Sequence, residues 1–410
     1  MGTIRKPGVA LGVLTGINVL NYVDRYLLAA LLPLIVKALD ISKFRAGLLA
    51  GSFIVVYSAV SPAMGWLGDR YRRLRLAAVG VVIWSAATFA SGLAPTFFLL
   101  LLARAVVGVG EASYSVVTPS LIADLYPAER RGRALAVFYS ALAVGPALGY
   151  IVGGWIGKGY GWRYGFFVGG GPGFLLALTL LLLAEPQRGR FDHDKVAAVP
   201  LTLRKALDAL QARPSYFFNT AAQTIYTFTM GGLAYWMPFY YVQERHLDLE
   251  RANFTFGAIL LLAGFIGVLA GGQLGDRLAR RYPGAHFSFS GWALVASLPF
   301  TAVAILAPRP VIFWPAMFMT LLLLFLNTGP LNAAMANVLP PDLRARGFAF
   351  YTVAIHLLGD AISPPLIGLA ADHVGLMTPV LVSGLFLGVA GLVLFAGRRH
   401  LVADLEAATR

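Results

Sequence analysis

Twelve apolar blocks run through the chain, and each is about as long as a helix that crosses a lipid bilayer. Hydrophobic residues make up 58% of the 410 residues and charged residues only 13%, whereas a soluble domain carries about 25% charged residues. The first block runs past the apolar core of a cleavable signal peptide, so we expect none. The sequence predicts an all-α integral membrane protein with twelve transmembrane helices, at roughly 8–36, 44–67, 76–94, 96–123, 132–156, 164–184, 215–242, 252–274, 286–306, 311–338, 347–371 and 376–397.

The positive charges are concentrated on alternate loops. With the N-terminus placed in the cytoplasm, 23 of the 33 Lys and Arg residues lie on that side and 8 on the other, and Arg25 and Arg104 lie inside helices. We call the side with 23 charges the arginine-rich face and the opposite side the outer face. The positive-inside rule predicts that the arginine-rich face and both termini are cytoplasmic. Topology thus explains the net charge of +14, and nucleic acid is not an expected partner.

One sequence pattern occurs twice, half a chain apart. Residues 65–70 read GWLGDR and residues 272–277 read GQLGDR, and further arginines follow both stretches. A second, weaker repeat relates residues 127–132 (PAERRG) to residues 341–347 (PDLRARG). Halves repeated about an axis along the membrane normal place a substrate site between them, near the middle of the bilayer. We predict two pseudo-symmetric six-helix bundles, 1–184 and 214–410 with a short cytoplasmic tail, joined by a cytoplasmic linker at 185–213.

The linker contains an amphipathic stretch, Pro200–Arg213, which predicts a short helix. Leu203, Leu207 and Leu210 share one face, which leaves Arg204, Lys205 and Arg213 free to meet anionic headgroups. A short solvated helix without lipid contact is the alternative.

Small residues recur at every fourth position of the fifth block. Gly145, Gly149, Gly153 and Gly157 form a stripe that lets another helix approach closely. Pro146 removes a backbone hydrogen bond and favours a kink, and Pro364-Pro365 in the eleventh block should also disturb the helix.

Five charged residues fall inside apolar blocks, where an ionised group costs about 3 kcal/mol or more. They are Asp24, Arg25, Arg104, Glu111 and Asp360, and His356 adds a sixth titratable group. The depths of these residues along the first and fourth helices allow Arg25 to meet Glu111 and Asp24 to meet Arg104. His356 and Asp360, four residues apart, share a helix face and could handle substrate or protons, or make an ordinary hydrogen bond.

The two acids on the first and fourth helices are candidates for proton coupling. Burial favours a neutral carboxyl group, and an arginine partner favours the ionised form. If the partner moves away during a transport cycle, Asp24 or Glu111 would bind a proton more tightly. The alternative is a fixed, fully paired network that only positions the helices, because buried ion pairs are often structural.

These motifs resemble two nested families. The repeated GxLGDR loop, Arg104 with Gly108, and Gly145-Pro146 with Gly149 resemble motifs of the major facilitator superfamily. Three narrower segments resemble the Spinster family of lipid transporters: NYVDRY at 21–26, GVGEASYS at 108–115 and HLLGD at 356–360. The first of these also resembles the anion:cation symporter family.

The resemblance implies a latch on the cytoplasmic side in the outward-open state. A carboxylate at a helix C-terminus is disfavoured by the helix dipole, so Asp69 needs an outside partner. The implied latch comprises Gly65, Asp69, Arg70 and Arg73, with Asp276 and Arg277 in the second half; a basic loop that only sets topology is the alternative. The superfamily also implies a central cavity bordered by helices one, four, seven and ten. Candidate cavity residues are Asn21, Tyr22, Tyr114, Gln223, Tyr226, Trp236, Asn327, Asn332, His356 and Asp360.

The leading functional hypothesis is a secondary transporter that works by alternating access. By resemblance its substrate is amphipathic and lipid-like, of the lysophospholipid or sphingoid phosphate class, with Arg25 and Arg104 suited to an anionic headgroup. The alternatives are a proton-coupled symporter of a small organic anion, or a drug or metabolite exporter. The sequence lacks a phosphate-binding Gly-x-x-x-x-Gly-Lys loop, a Gly-x-Ser-x-Gly nucleophile and a cysteine, which argues against ATP-driven transport and against a membrane enzyme.

We expect no cofactor and no metal, with protons as the coupling ion. The predicted partners are the substrate and membrane lipids, and the predicted state is a monomer in a cell membrane, most simply a bacterial inner membrane.

Overall fold

The computed structural model describes residues 6–191 and 203–409, and these ranges are largely helical. In chain order the α-helices are α1 (Pro7–Leu39), α2 (Lys43–Arg70), α3 (Arg73–Leu93), α4 (Phe97–Ser115), α5 (Thr118–Leu125), α6 (Ala128–Tyr139), α7 (Ala141–Tyr160), α8 (Trp162–Leu182), α9 (Leu203–Gln211), α10 (Pro214–Gln243), α11 (Leu249–Ala279), α12 (Ala285–Leu306), α13 (Pro310–Leu326), α14 (Thr328–Val338), α15 (Pro341–Ile355), α16 (Ser363–Val374) and α17 (Met377–Thr409). A π-helical turn, His356–Asp360, joins α15 to α16.

Eleven spans within the described residues are long and apolar enough to cross a membrane. The remaining predicted crossing is α10, which has 30 residues and is therefore long enough. It falls outside the eleven because Asn219, Gln223 and several Tyr and Thr residues make it less apolar. The all-α, multi-span fold class predicted from the sequence is confirmed.

Prolines account for the breaks in the fourth and tenth crossings. A proline at position i cannot donate to the carbonyl of residue i−4, and its ring clashes with that carbonyl. Pro119 is four residues after Ser115, where α4 ends, and Pro330 is four residues after Leu326, where α13 ends. The same break therefore occurs in both halves of the chain.

The eleventh crossing is broken in the same way, and the fifth is not. Pro364 is four residues after Asp360, the last residue of the π-helical turn. Pro146 also leaves the carbonyl of Leu142 without its usual donor, but α7 continues through both residues, and the fifth crossing is interrupted six residues before Pro146, at Ser140. The disturbance predicted at Pro364-Pro365 is observed, and the kink predicted at Pro146 stays a prediction.

Contacts divide the chain into two compact units. Unit 1 comprises Met1–Lys195 together with Tyr235–Ala258, and unit 2 comprises Val196–Ala234 together with Ile259–Arg410. The outer ends of α10 and α11 therefore belong with unit 1, although most of both helices belongs to unit 2. The two bundles predicted at 1–184 and 214–410 are divided differently from these units, and their boundaries stay a prediction.

The glycine stripe of α7 brings that helix against α1. A Cβ atom on Gly149 would lie 2.7 Å from the backbone oxygen of Val23, and one on Gly153 would lie 2.6 Å from Ala30 Cβ. Any side chain there would push the helices apart. This contact holds the middle of α1, which carries Asp24 and Arg25, at a fixed position in unit 1.

The linker helix forms as predicted over Leu203–Gln211, although residues 192–202 and the side chains of Leu203, Arg204 and Lys205 lie outside the described part of the chain. Leu210 is 2% exposed. Arg213 donates from Nε to the carbonyl of Val338 at 2.9 Å and from a terminal nitrogen to Ala209 at 2.7 Å. Arg213 therefore binds protein carbonyls through two of its nitrogens, and the lipid contact of this helix stays a prediction.

Candidate functional site

Two ion pairs lie between α1 and α4 inside unit 1. Arg25 Nε is 2.6 Å from Glu111 Oε2, and a terminal nitrogen of Arg104 is 3.2 Å from Asp24 Oδ2. Three of these side chains are almost completely buried, and only Arg25, with 21% of its side chain exposed, reaches an accessible surface. The pairings are the two that the depths of the residues along the helices allow.

Three aromatic rings surround the Arg25 guanidinium. Its Cζ atom is 4.9 Å from the ring centroid of Phe53 and 5.1 Å from those of Tyr22 and Tyr57. Ring faces attract cations, and the attraction grows when water is excluded. Phe53 also lies 5.9 Å from Cζ of Arg104, so one ring contacts both cations. Sequence analysis missed Phe53 and Tyr57, which carry no motif signal.

The site also contains polar atoms without hydrogen-bond partners among the described residues. Both side-chain polar atoms of Asn21 and the Oε1 atom of Glu111 are buried in this way. A buried polar atom left unpaired costs about 1–3 kcal/mol. Asn21 and Glu111 thus retain capacity to bind a further polar group or a proton.

The other predicted cavity residues of unit 1 are packed tightly. Tyr114 is fully buried, its hydroxyl donates to the carbonyl of Leu14, and its ring meets Trp84 edge-on. Trp236 is also fully buried, against Tyr235 and Phe239. Neither side chain reaches a solvent-accessible surface in this conformation.

In unit 2 the predicted polar residues are distributed along three crossings. Asn327 and Asn332 donate to carbonyls within their own helical segments, those of Leu324 and Thr328. Gln223 is 4% exposed, and its Nε2 atom lacks a partner among the described residues. Tyr226 is half-buried on the same helix.

His356 and Asp360 form a pair on the π-helical turn. His356 Nδ1 is 3.0 Å from Asp360 Oδ2, and both side chains are partly exposed. A Cβ atom on Gly231 would lie 2.7 Å from Asp360 Cβ, so α10 passes directly beside the turn. Single π-turns occur frequently at functional sites.

The predicted latch residues lie at the arginine-rich end of each unit. The Asp69 side chain is exposed and makes no ion pair or hydrogen bond within the described ranges. Gly65 packs against Val116, and Arg70 Cζ lies 3.8 Å over the ring of Trp66. In unit 2, Asp276 is 3.8 Å from His286, and Arg277 is exposed.

Arg73 takes part in a network that sequence analysis missed. It is 2.6 Å from Asp124 and 3.5 Å from Glu185, and the Glu185 carboxylate also accepts the backbone N–H groups of Arg73 and Leu74 at the start of α3. A carboxylate at a helix N-terminus is favoured by the dipole. Arg188 donates to three backbone carbonyls at the end of α2. Because Asp124 and Glu185 lie outside the repeated motif, its spacing does not identify them.

A second set of missed contacts lies at the outer face of unit 1. Lys158 Nζ is 3.0 Å from both Asp248 and Glu250. Asn253 packs on Gly154 and donates to the carbonyl of Ala30 at 3.3 Å, and the hydroxyl of Tyr235 donates to Ala46 at 2.5 Å. These contacts hold the outer ends of α10 and α11 on α1, α2 and α7.

Comparisons with known proteins identify the family. The Major Facilitator Superfamily model matches residues 14–364. Protein spinster homolog 1 from Bos taurus is 37% identical over 88% of this chain and 72% of its own length, and that from Homo sapiens is 36% identical over 90% and 74%.

The fold also matches a solved structure. It is the crystal structure of a bacterial homolog to the human lysosomal transporter Spinster, in an inward-facing and unoccupied conformation, and it aligns with a TM-score of 0.90 at 22% identity, covering 98% of this chain and 99% of that one. The chain therefore belongs to the major facilitator superfamily and, within it, to the Spinster family of multi-pass membrane transporters.

Proposed function

We propose that the chain is a proton-coupled transporter of amphipathic, anionic, lipid-like molecules that works by alternating access. The observation that carries the proposal is the Arg25–Glu111 pair: a partly exposed arginine, enclosed by aromatic rings, bound to a carboxylate that is completely buried. An anionic headgroup has a ready partner in Arg25. The aromatic rings and apolar helix surfaces suit a lipid tail.

Headgroup binding would be coupled to proton binding through Glu111. When a phosphate or carboxylate of the substrate binds Arg25, it replaces Glu111 as the acceptor of the 2.6 Å hydrogen bond from Arg25. A fully buried carboxylate without a cation favours its neutral form, so Glu111 would take up a proton. Substrate and proton would then be bound to the protein in the same conformation. Asp24 with Arg104 offers a second pair of the same kind.

Alternating access is supported by contacts at the two ends of unit 1. The outer ends of α10 and α11 are held by Lys158, Asn253 and Tyr235, whereas Asp69 at the other end lacks a partner among the described residues. The contacts at the outer end of unit 1 are therefore made in this conformation and the implied latch contact of Asp69 is not, which is the difference between the two ends that alternating access needs. The bacterial homolog of Spinster was solved in an inward-facing conformation.

The latch is tested separately from the substrate. Because the chain has no cysteine, spin labels at Tyr71→Cys and Arg280→Cys report the distance across the arginine-rich face directly. Asp69→Asn should reduce the population with this face closed. Asp40→Asn, an exposed outer-face control at a position that Asn tolerates, should not. An unchanged distribution in Asp69→Asn would remove the latch.

Uptake into proteoliposomes tests the substrate class. The panel contains lysophospholipids, a sphingoid phosphate, a neutral monoacylglycerol and short organic anions, each with and without an inward proton gradient. We expect uptake of the anionic lipids only, stimulated by the gradient and lost in Arg25→Gln. Uptake of short anions alone would favour the organic anion symporter, and uptake of the neutral lipid would contradict the role of Arg25.

A further inference from the structure

A groove lies between α12 and α17 in unit 2, where α12 begins and α17 ends on the arginine-rich face. Its volume is about 730 Å³, and its walls include Tyr282, Ser288, Trp292, Leu392, Phe395 and Arg398. A recess of about 490 Å³ shares Phe395 and Arg398 with it and continues to Val402. Residues 392 and 402 are separated by about 15 Å along a helix, so the groove follows α17 for that length.

The packing of the two helices creates the groove. A Cβ atom on Gly391 would lie 2.9 Å from the backbone oxygen of Gly291, so the helices touch near this level. Phe395 packs beside Gly291, and beyond it the chain turns away at Gly284, whose φ is +76°. Arg398 lies across this turn, with Cγ 3.0 Å from the Cβ position of Gly284.

The part of the groove toward the membrane centre is apolar and open to the side. Trp292 and Leu392 are each 65% exposed, and the Trp292 ring packs 5.1 Å from that of Phe395. In a membrane such exposed apolar side chains contact acyl chains. Tryptophan near the end of a crossing is typical of the boundary between acyl chains and headgroups.

The other part of the groove is basic. Arg398 lies 5.8 Å from the ring of Tyr282, and Arg398 and Arg399 are exposed without a carboxylate partner in the described ranges. Of the nearby acids, Asp404 accepts from Ser215, and Asp276 lies 3.8 Å from His286. The Ser288 side chain is 7% exposed, and its hydroxyl has no hydrogen-bond partner among the described residues.

We propose that this groove binds an anionic phospholipid from the leaflet at the arginine-rich face. Arg398 and Arg399 hold the phosphate, because the guanidinium fork matches phosphate oxygens. Ser288 offers a hydroxyl in the same wall, and Trp292 and Leu392 contact an acyl chain. Basic pockets between transmembrane helices are known to bind lipid headgroups. The lipid is a bound component of unit 2, separate from the arginine pairs of unit 1.

A thermal-unfolding titration of the purified, delipidated chain tests the proposal. The probes are a short-chain phosphatidylglycerol, a phosphatidylcholine with the same chains, and inorganic phosphate. Phosphatidylglycerol should raise the melting temperature saturably, and the other two should not. Arg398→Gln with Arg399→Gln should weaken this binding about thirtyfold, since each basic residue contributes roughly fivefold at an anionic surface. The control Arg133→Gln removes an exposed arginine from the same face and should bind like the parent.

Three outcomes would overturn the proposal. They are equal effects of phosphatidylglycerol and phosphatidylcholine, an unchanged titration in the double arginine variant, and an equal effect of inorganic phosphate. Trp292→Ala, at an exposed position, gives a second readout: its affinity for phosphatidylglycerol should fall about tenfold while the preference over phosphatidylcholine remains. An unchanged affinity there would remove the acyl-chain contact and with it the assigned groove.

Discussion

Arg25 Nε lies 2.6 Å from Glu111 Oε2, and this bond is one half of a reciprocal exchange between α1 and α4. The other half runs from Arg104 on α4 to Asp24 on α1 at 3.2 Å. Each helix supplies one acid and one base, so the four charges balance inside the membrane. A movement of α1 relative to α4 would break both ion pairs at once, so the charge pairing depends on the relative position of the two helices.

Phe53 should contribute to substrate affinity although it carries no charge. Its ring lies against both Arg25 and Arg104, and a desolvated cation–π contact contributes about 1–2 kcal/mol. Phe53→Leu should therefore raise the KM for transport roughly fivefold or more. Phe98→Leu, at a side chain that is 70% exposed, should leave KM unchanged. Equal kinetics in the two variants would contradict the contribution of the ring.

Asp24→Asn hardly changes the shape of the side chain, but we expect it to destabilise the fold. Arg104 is 1% exposed, and removing its partner leaves a buried cation that costs about 3–5 kcal/mol. The free energy of unfolding, measured by denaturant titration in detergent, should fall by that amount. Combining Asp24→Asn with Arg104→Gln should restore much of the loss. Additive losses in the double variant would show that the pair is not coupled.

Gly149 should be intolerant of any side chain. Its Cβ would meet the backbone oxygen of Val23 at 2.7 Å, which a rotamer change cannot relieve. Gly149→Ala should lower the free energy of unfolding by about 1–3 kcal/mol. The matched control is Gly171→Ala, a helical glycine with no atom within 4 Å of its Cβ position, which should be neutral or slightly stabilising. Equal effects at both positions would show that α1 and α7 can separate without cost.

The Lys158 contacts should loosen in acid. Slight burial alone would raise the pKa of Asp248, but hydrogen bonds from Lys158 and from the backbone of Arg251 outweigh it and hold this pKa below its usual value. The contribution of the carboxylate is therefore complete above about pH 4 and is lost as the pH falls through the lowered pKa.

A spin label at Phe254→Cys, beside Asn253, reports this loosening. Its mobility should stay constant from neutral pH down to about pH 4 and rise below that. In Lys158→Ala the label should be more mobile at neutral pH and respond less to acid. A label that is equally mobile in both backgrounds would show that Lys158 does not hold the outer end of α11.

Periodicity and charge placement are sufficient to predict the helical crossings and the two arginine pairs. The crossings follow from the length of apolar runs, and the pairs follow from residue depth because helix rise is fixed. The breaks at Ser115 and Leu326 fit Pro119 and Pro330 four residues later, but proline alone does not predict a break. Other prolines lie inside uninterrupted helices: Pro33, Pro62, Pro146, Pro172 and Pro238.

The remaining contacts depend on tertiary packing that no local pattern encodes. Lys158 and Asp248 are 90 residues apart in the sequence, and Arg73 and Glu185 are 112 residues apart. The ring of Phe53 near Arg25 depends on the rotation of α2, whose apolar residues are spread around the helix and give no preferred face. Such contacts require the assembled structure.

Proton-driven uptake by Glu111→Gln is the most direct test of the coupling mechanism. Glutamine can still accept a hydrogen bond from Arg25 but cannot bind a proton in this range. In proteoliposomes with an anionic lysolipid, the parent should transport faster under an inward proton gradient, whereas Glu111→Gln should transport at a rate that does not respond to the gradient. Asp404→Asn, a buried carboxylate bound to Ser215 away from the arginine pairs, should keep the response. A gradient response in Glu111→Gln equal to that of the parent would contradict the account.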